Sequence, residues 1–368
     1  MKNKNTPRLL GIDLMRGIAA YAVVFLHSGD ESSGLPISQA TMSLRLLFYF
    51  AVPFFLATAF YFLTSKPEID ISWRFWHSRI DRILIPYILW SIFYLISRSF
   101  FFFQSHQMDS FWNLWGDPLS LVFFGGASYQ LYFLPLLFVG TFSVAIAKYL
   151  QKIRANRLAI GLLAILSLII YECLLQSGNT FRLNPNTAFQ NIIHTAGWDI
   201  QSLPLLRLLL VQIAWLLSCL PYLFMGMLLL PLCHRINKWN QTARLITIFL
   251  CASMFLGSAA AIFIGIPDTV KNVLQAYSLL VLSIALSGYI KNNWLVQSVG
   301  DCSFGIYLIH PFAMLVVKGV FNKTLPILSQ EVSILSIAIV SIGTFIISWS
   351  AIGLMKKNYW ISKYALGI

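Results

Sequence analysis

Ten separate runs of about 20 mostly apolar residues limit most strongly how this chain can fold. They lie near residues 9–29, 41–63, 83–103, 119–147, 158–176, 204–232, 245–265, 272–290, 296–320 and 332–355. Because about 20 apolar residues in a helix cross the hydrocarbon layer of a bilayer, each run predicts a transmembrane helix. We therefore expect an all-α polytopic membrane protein, a bundle of about ten transmembrane helices.

The composition agrees with lipid as the solvent. Of the 368 residues, 58% are hydrophobic and only 11% are charged, whereas about 25% of a soluble domain is charged. The net charge of +13 is not read as a nucleic-acid signal, because in a membrane protein the distribution of Lys and Arg matters more than their total. We expect one transmembrane domain over residues 1–368, with no separate soluble domain.

Lys and Arg collect in the connections on one side of these runs. The connections on the other side are acidic or neutral, as at Asp109, Asp117 and Asp268. The positive-inside rule therefore predicts that both termini are cytoplasmic. Asp13 and Arg16 interrupt the first apolar run and no A-x-A site follows, so we expect a retained helix rather than a signal peptide. The five scattered cysteines have no CxxC spacing and predict neither a disulfide framework nor a metal site.

The first run, GIDLMRGIAAYAVVFLHSG at residues 11–29, carries Arg16 and His27. A charge at membrane depth costs about 2.5–3.5 kcal/mol on insertion scales and usually marks a function. Eleven residues amount to about 20° past three helical turns, so both side chains share one face about 16 Å apart along the axis. The alternative is an arginine that reaches the headgroups and a histidine near the far interface.

A second motif, WHSRIDRILIPYILW at residues 76–90, places Arg79 and Arg82 three residues apart at the cytoplasmic mouth of the third span. Side chains at this spacing share a helix face. Paired guanidinium groups suit phosphate, because each offers a planar fork of donors. An ordinary positive-inside anchor explains the pair equally well.

Polar residues also interrupt SVGDCSFGIYLIHPFAML at residues 298–315. Ser303, Tyr307 and His310 fall at i, i+4 and i+7, which is a polar stripe on one helix face. Such a stripe is costly against lipid, so we expect it to face the bundle interior. It serves either a functional site or hydrogen bonding between helices.

In GGASYQLYFLPLL at residues 125–137, the glycines can break the helix, and Gln130 and Tyr132 can line a cavity. Four segments, DLMRGIAAYAVVFLH, SRIDRILIPY, YQLYFLPLL and GDCSFGIYLIHP, resemble in order the signature segments of acyltransferase family 3 membrane proteins, and the resemblance covers about residues 8–355. Gln130 and Tyr132 stand where many members have His and Trp.

The resemblance implies a ten-helix membrane O-acyltransferase. Such a protein moves an acyl group, most often acetyl, from cytoplasmic coenzyme A to a hydroxyl of an extracytoplasmic glycan or related acceptor. By this analogy His27 is the essential histidine, Arg16 is the family's arginine, and Arg79 and Arg82 hold the donor. The remaining candidates for pocket lining or support are Asp13, Tyr132, Ser303, Tyr307 and His310.

The expected partners are acyl-CoA as co-substrate, a glycan or lipid-linked saccharide as acceptor, and membrane lipids. We expect the protein in the plasma (cell inner) membrane. We expect no nucleic-acid partner, no metal and no permanently bound cofactor. His27 acts either as a general base or through an acyl-histidine intermediate. The competing hypotheses are a transporter or flippase of a glycan or lipid-linked sugar, and a non-enzymatic scaffold. The acceptor, the acyl chain length, the oxyanion stabiliser and the oligomeric state stay open.

Overall fold

The computed structural model describes residues 8–29, 35–66, 68–182, 186–236, 238–260 and 265–368. In these ranges ten helices are long and apolar enough to cross a membrane: α1 Leu10–Ser28, α2 Gln39–Thr64, α3 Trp73–Gln104, α4 Phe133–Lys152, α5 Arg157–Gln176, α6 Pro204–Ile236, α7 Gln241–Ala259, α8 Asp268–Leu286, α9 Trp294–Thr324 and α10 Ile334–Met355. The same ranges contain no β-strand, only an isolated parallel bridge between Ile37 and Val332. The predicted all-α bundle of ten membrane helices is confirmed.

Two helix boundaries differ clearly from the hydrophobic pattern. The helix α3 begins at Trp73 and passes through a π-helical turn at Ile80–Leu84. The predicted fourth run does not form one helix, because a second π-helical turn ends at Gly125, whose φ of 81° lies in the left-handed region. Glycine adopts this region without steric cost. The chain turns after Gly125, and α4 begins only at Phe133.

The chain divides into two compact units. The first comprises residues Met1–Ala59 and Leu229–Met355, and the second comprises Phe60–Leu228 and Lys356–Ile368. Arg16, His27 and the polar stripe of α9 belong to the first unit. Arg79, Arg82 and Tyr132 belong to the second.

In the first unit, α1 packs against α8, α9 and α10. In lipid, no hydrophobic driving force brings helices together, so they associate largely through close packing. Glycine allows two helix backbones to approach closely. A Cβ atom at Gly300 of α9 would lie 2.6 Å from the Cβ atom of Asp13. A Cβ atom at Gly11 would lie 1.9 Å from the carbonyl oxygen of Ser283 on α8. These contacts hold the N-terminal half of α1 directly against two neighbouring helices.

In the second unit, part of the connection between α5 and α6 runs inside the helical layer. The Nε1 atom of Trp215, a fully buried residue of α6, donates to the carbonyl oxygen of Phe181 at 3.1 Å. The Nε atom of Arg207 donates to the carbonyl oxygen of Asn186 at 2.7 Å. Side chains of α6 thus donate hydrogen bonds to backbone carbonyls of this connection. The connection can therefore enter the helical layer without leaving these carbonyl groups unpaired.

Candidate functional site

The helix α1 sets the relative position of Arg16 and His27. Since α1 is uninterrupted from Leu10 to Ser28, their spacing of 11 residues keeps them on one face, about 16 Å apart along the helix axis. Ala20 and Val23, which lie between them, are buried, whereas Arg16 and His27 are half-buried. Arg16 and His27 therefore remain partly exposed, whereas the helix surface between them is buried.

His27 faces α9 in the interior of the first unit. Its ring centroid lies 5.5 Å from that of His310, with an interplanar angle of 27°. His310 is completely buried. Because Asp13 contacts Gly300 and His27 contacts His310, α1 and α9 run parallel. The two helices bring together two imidazoles that are far apart in sequence.

Pro311 explains how His310 is oriented. In an α-helix the N–H of residue 311 would donate to the carbonyl of Tyr307, four residues before it, but proline has no N–H. The His310 Nδ1 atom lies 2.7 Å from this carbonyl oxygen and takes the place of the missing donor. Because a carbonyl can only accept, Nδ1 carries the hydrogen, and Nε2 is the proton-accepting nitrogen of the neutral ring.

The other two polar residues of the α9 stripe have different surroundings. The Ser303 hydroxyl donates to the carbonyl oxygen of Gly300 at 2.8 Å, within its own helix. The Tyr307 ring centroid lies 6.0 Å from that of His310 and 6.4 Å from that of Phe55. The Ser303 hydroxyl is thus hydrogen-bonded to the backbone of α9, and the Tyr307 ring packs beside the His310 ring.

Thr344 and Ser348 of α10 were not among the predicted residues. Both are fully buried, and in the described part of the chain neither hydroxyl has a hydrogen-bond partner. Gly305 of α9 lies against Ile352, and Val317 lies against Gly343, so these two hydroxyls sit at about the level of His310. Their four-residue spacing on a helix without charged residues is the signal that could have identified them.

Asp13 is occupied at the N-terminal end of α1. It accepts a hydrogen bond from Arg8 Nε, and Arg8 Nη2 also donates to Asp301 of α9 at 2.7 Å. Asp13 and Asp301 attract Arg16 electrostatically, and Arg8 repels it. Two cations and two carboxylates balance here, so this cluster joins α1 to α9. Any contribution of Arg16 to ligand binding rests on its hydrogen-bonding geometry rather than on a net positive field.

Arg79 and Arg82 lie at the N-terminal end of α3 in the second unit. Arg79 ends the α-helical turn before the π-helical segment, its guanidinium lies 5.1 Å from the Phe75 ring centroid, and its buried Nε has no hydrogen-bond partner among the described residues. Arg82 lies within the π-helical segment and is exposed. The intervening change of helix type means that an α-helical wheel does not give the angle between them.

A surface pocket of about 440 Å³ lies beside this pair. Its lining includes Arg74, His77, Asp81 and Arg82. Asp81 is paired with His77 at 3.0 Å, and Arg79 and Arg82 are close enough to repel each other. Two guanidinium groups held close together favour an anion that both can contact.

Tyr132 immediately precedes α4 and is half-buried. Its neighbour Gln130 is buried and accepts a hydrogen bond from the Ser128 hydroxyl at 2.6 Å. Tyr132 interacts electrostatically with Arg182, which the connection between α5 and α6 carries into the second unit. Sequence reasoning missed Arg182, because its position depends on the tertiary path of this connection and not on a helical period.

A polar pocket of about 260 Å³ occupies the other end of α3, also within the second unit. Arg98, Asn113, Asp117 and Ser120 contribute to its lining. Arg98 donates to the carbonyl oxygen of Ala127 at 3.0 Å. In the described ranges, no group of three or more His, Cys, Asp or Glu side chains is placed to hold a metal ion.

Comparison with known proteins gives a match over nearly the whole chain. The family model described as an acyltransferase domain matches residues 9–353. The chain is 23% identical over 365 residues to an amino-acid racemase of Enterococcus faecalis, and the match covers 95% of this chain and 47% of that protein. The chain therefore spans about half the length of this curated relative. No solved structure matches.

Proposed function

The chain belongs to acyltransferase family 3, and from that premise we propose that it transfers an acetyl or other short acyl group from cytoplasmic acyl-CoA to a hydroxyl of an extracytoplasmic glycan or lipid-linked saccharide. The observation that carries this proposal is the facing pair of His27 and His310, with Arg16 on the same face of α1. An imidazole pair inside a membrane bundle suits proton transfer at a reacting centre.

The donor-binding role is assigned to the N-terminal end of α3. Coenzyme A carries several phosphates. The half-buried Arg79, the exposed Arg82 and the pocket beside them together present more guanidinium groups than carboxylates. Arginine binds phosphate through two parallel hydrogen bonds. In this proposal Arg16 is a further contact of the donor, and the thioester reacts at His27.

His27 removes the proton from the acceptor hydroxyl. As the proton passes to the imidazole, the oxygen attacks the thioester carbonyl carbon and forms a tetrahedral intermediate. The intermediate collapses, the carbon–sulfur bond breaks, and the coenzyme A thiolate leaves with the proton that His27 holds, which returns the imidazole to its neutral form. General-base assistance of this kind contributes about 10²–10⁴-fold. His310, held by the Tyr307 carbonyl, stacks on His27 and orients it, and an acyl-histidine route would use the same pair.

Transfer across the membrane agrees with the length of α3. Arg79 and Arg98 are 19 residues apart on this helix, which corresponds to about 28 Å, close to the thickness of the hydrocarbon layer. The polar pocket beside Arg98 would therefore open on the side opposite the donor arginines. With the termini cytoplasmic, as the distribution of Lys and Arg favours, that side is extracytoplasmic.

The test uses membranes that contain the protein and acetyl-CoA labelled in the acetyl group. We expect label to appear as an ester on a saccharide of the outer leaflet or cell envelope, and to be absent from membranes without the protein. Label that stays on coenzyme A, together with transport of an unmodified saccharide into sealed vesicles, would instead support the transporter hypothesis.

A further inference from the structure

Arg182 is a half-buried cation of the second unit that the proposed chemistry does not use. Arg182 Nη2 donates to the Tyr171 hydroxyl at 2.8 Å. The Arg182 Nε atom is buried and has no hydrogen-bond partner among the described residues, although the residue as a whole keeps some access. Its guanidinium lies 5.6 Å from the centroid of the Phe181 ring.

This arginine lies beside interior turns of α5 and α6 and not at the ends of these helices. Its neighbour Phe181 is held by Trp215, which is 11 residues, or about 16 Å, into α6. Tyr171 lies five residues before the end of α5, about 8 Å from that end. A charged residue at such depth is expensive and is a functional candidate for this reason.

Among the described residues, the groups that interact with Arg182 carry no negative charge. Its electrostatic neighbours are Tyr171, Tyr132, Tyr222 and Cys219, whose phenol and thiol groups are neutral at pH 7. Arg207 in the same unit shows the contrasting arrangement. Its guanidinium forms a bidentate ion pair with Asp117, in which Nη2 lies 2.6 Å from Oδ2 and Nη1 lies 3.0 Å from Oδ1. Thus Arg207 has its counter-charge within the protein, whereas Arg182 is surrounded by neutral hydrogen-bonding groups.

The position of Arg182 connects it with the acceptor end of the unit. Asn186, four residues later, accepts a hydrogen bond from the Ser120 hydroxyl at 2.6 Å. Ser120 also lines the polar pocket beside Arg98, which is at the opposite end of α3 from Arg79 and Arg82. A ligand held at Arg182 would therefore come from the acceptor and not from the phosphates of the donor.

We propose that Arg182, together with the hydroxyls of Tyr171 and Tyr132, binds an anionic group, a carboxylate or a phosphate, carried by the acceptor. This inference rests on the proposed function and narrows the acceptor class to acidic saccharides. The guanidinium offers a fork of donors that matches either anion, and neutral tyrosine hydroxyls can donate to the remaining oxygens. Partial access leaves room for the ligand to approach.

The test measures thermal unfolding of the purified full chain in detergent with three soluble probes. Methyl β-D-glucuronide and methyl β-D-glucoside differ in a carboxylate, and glucose 6-phosphate tests phosphate. We expect millimolar glucuronide or glucose 6-phosphate, but not the glucoside, to raise the melting temperature. A response to only one of the two anions identifies the acidic group and also supports the proposal.

The variants separate binding from a structural role. Arg182→Gln removes the charge and should weaken binding of the anion about 10- to 100-fold, as expected for charge-assisted hydrogen bonds. Tyr171→Phe removes a neutral hydroxyl that both holds Arg182 and contacts the anion, so it should weaken anion binding by less than Arg182→Gln does. Arg157→Gln, an exposed position at the start of α5, is the matched control and should bind like the unmodified protein.

Equal anion-induced shifts in Arg182→Gln and the unmodified protein, or no shift with either anion, would overturn the inference. If Arg182→Gln does not fold, Arg182→Lys decides: it keeps the charge but loses the fork, so weaker binding supports the inference and unchanged binding refutes it. The assay needs no acyl transfer. Anion binding that depends on Arg182 in a protein that transfers no acetyl would therefore contradict the proposed function and leave the anion site standing.

Discussion

Pro311→Ala tests how the backbone of α9 fixes the proton on His310. The alanine restores an N–H that can donate to the Tyr307 carbonyl, and it thereby competes with His310 Nδ1, which occupies that oxygen at 2.7 Å. A hydrogen bond of this kind is worth about 1 kcal/mol net, which changes the balance of the two neutral ring tautomers about fivefold. We expect kcat for acyl transfer to fall about two- to tenfold.

The stability of Pro311→Ala should not fall with its activity. The missing helical bond and the steric cost of an internal proline amount to about 3 kcal/mol. Against this gain, the buried proline loses about two methylene groups of packing, or about 1.6 kcal/mol at 0.8 kcal/mol each. We therefore expect the melting temperature to stay the same or to rise. A loss of activity without a loss of stability would separate positioning from folding.

Two measurements check this prediction: acyl transfer across a pH series, and the ¹⁵N shifts of the histidine rings, which report which nitrogen carries the hydrogen. Pro204→Ala is the control. Pro204 is the first residue of α6, where a backbone N–H has no helical partner in any case. If Pro311→Ala leaves both the His310 ring shifts and kcat unchanged, the backbone does not set the tautomer as we reason.

Two further predictions concern the donor site and the packing of α1. Replacing Arg79 and Arg82 together by Gln should weaken coenzyme A binding about 10- to 100-fold with little change in unliganded melting temperature, as measured by calorimetric titration; unchanged affinity would leave the pair as membrane anchors. Gly300→Ala should cost about 1–3 kcal/mol of stability through overpacking, since its new Cβ would lie 2.6 Å from that of Asp13, and thermal unfolding measures this loss. Gly161→Ala is the control, because a Cβ atom at Gly161 would have no atom within 4 Å. This change should be neutral or stabilising by about 0.5–1 kcal/mol. Equal effects of the two changes on stability would refute the close approach of α1 and α9.

The membrane helices were predictable because apolar runs report the solvent directly. The common face of Arg16 and His27 was predictable too, since it requires only that α1 be a continuous helix. Helix boundaries were less accurate where the chain departs from α-helical geometry. The π-helical turns at Ile80–Leu84 and Ser120–Phe124 have no hydrophobic period of their own.

Contacts between distant segments could not be obtained from one sequence. Nothing in the local pattern brings His310 to His27, and only the close packing of α1 on α9 does so. Arg182 was missed because it lies in a polar connection, which sequence reasoning assigns to the membrane surface. The dipeptide formed by His310 and Pro311 was an available signal, since proline always leaves one carbonyl without its helical donor.

The central claim is that the His27 imidazole carries out acyl transfer. The most direct test purifies the His27→Ala protein and measures transfer of labelled acetyl from acetyl-CoA to the acceptor. We predict a loss of about 10²–10⁴-fold in rate, while coenzyme A at 100 times its dissociation constant still stabilises the variant by about 2.7 kcal/mol. Transfer by His27→Ala at the rate of the unmodified protein would contradict the claim.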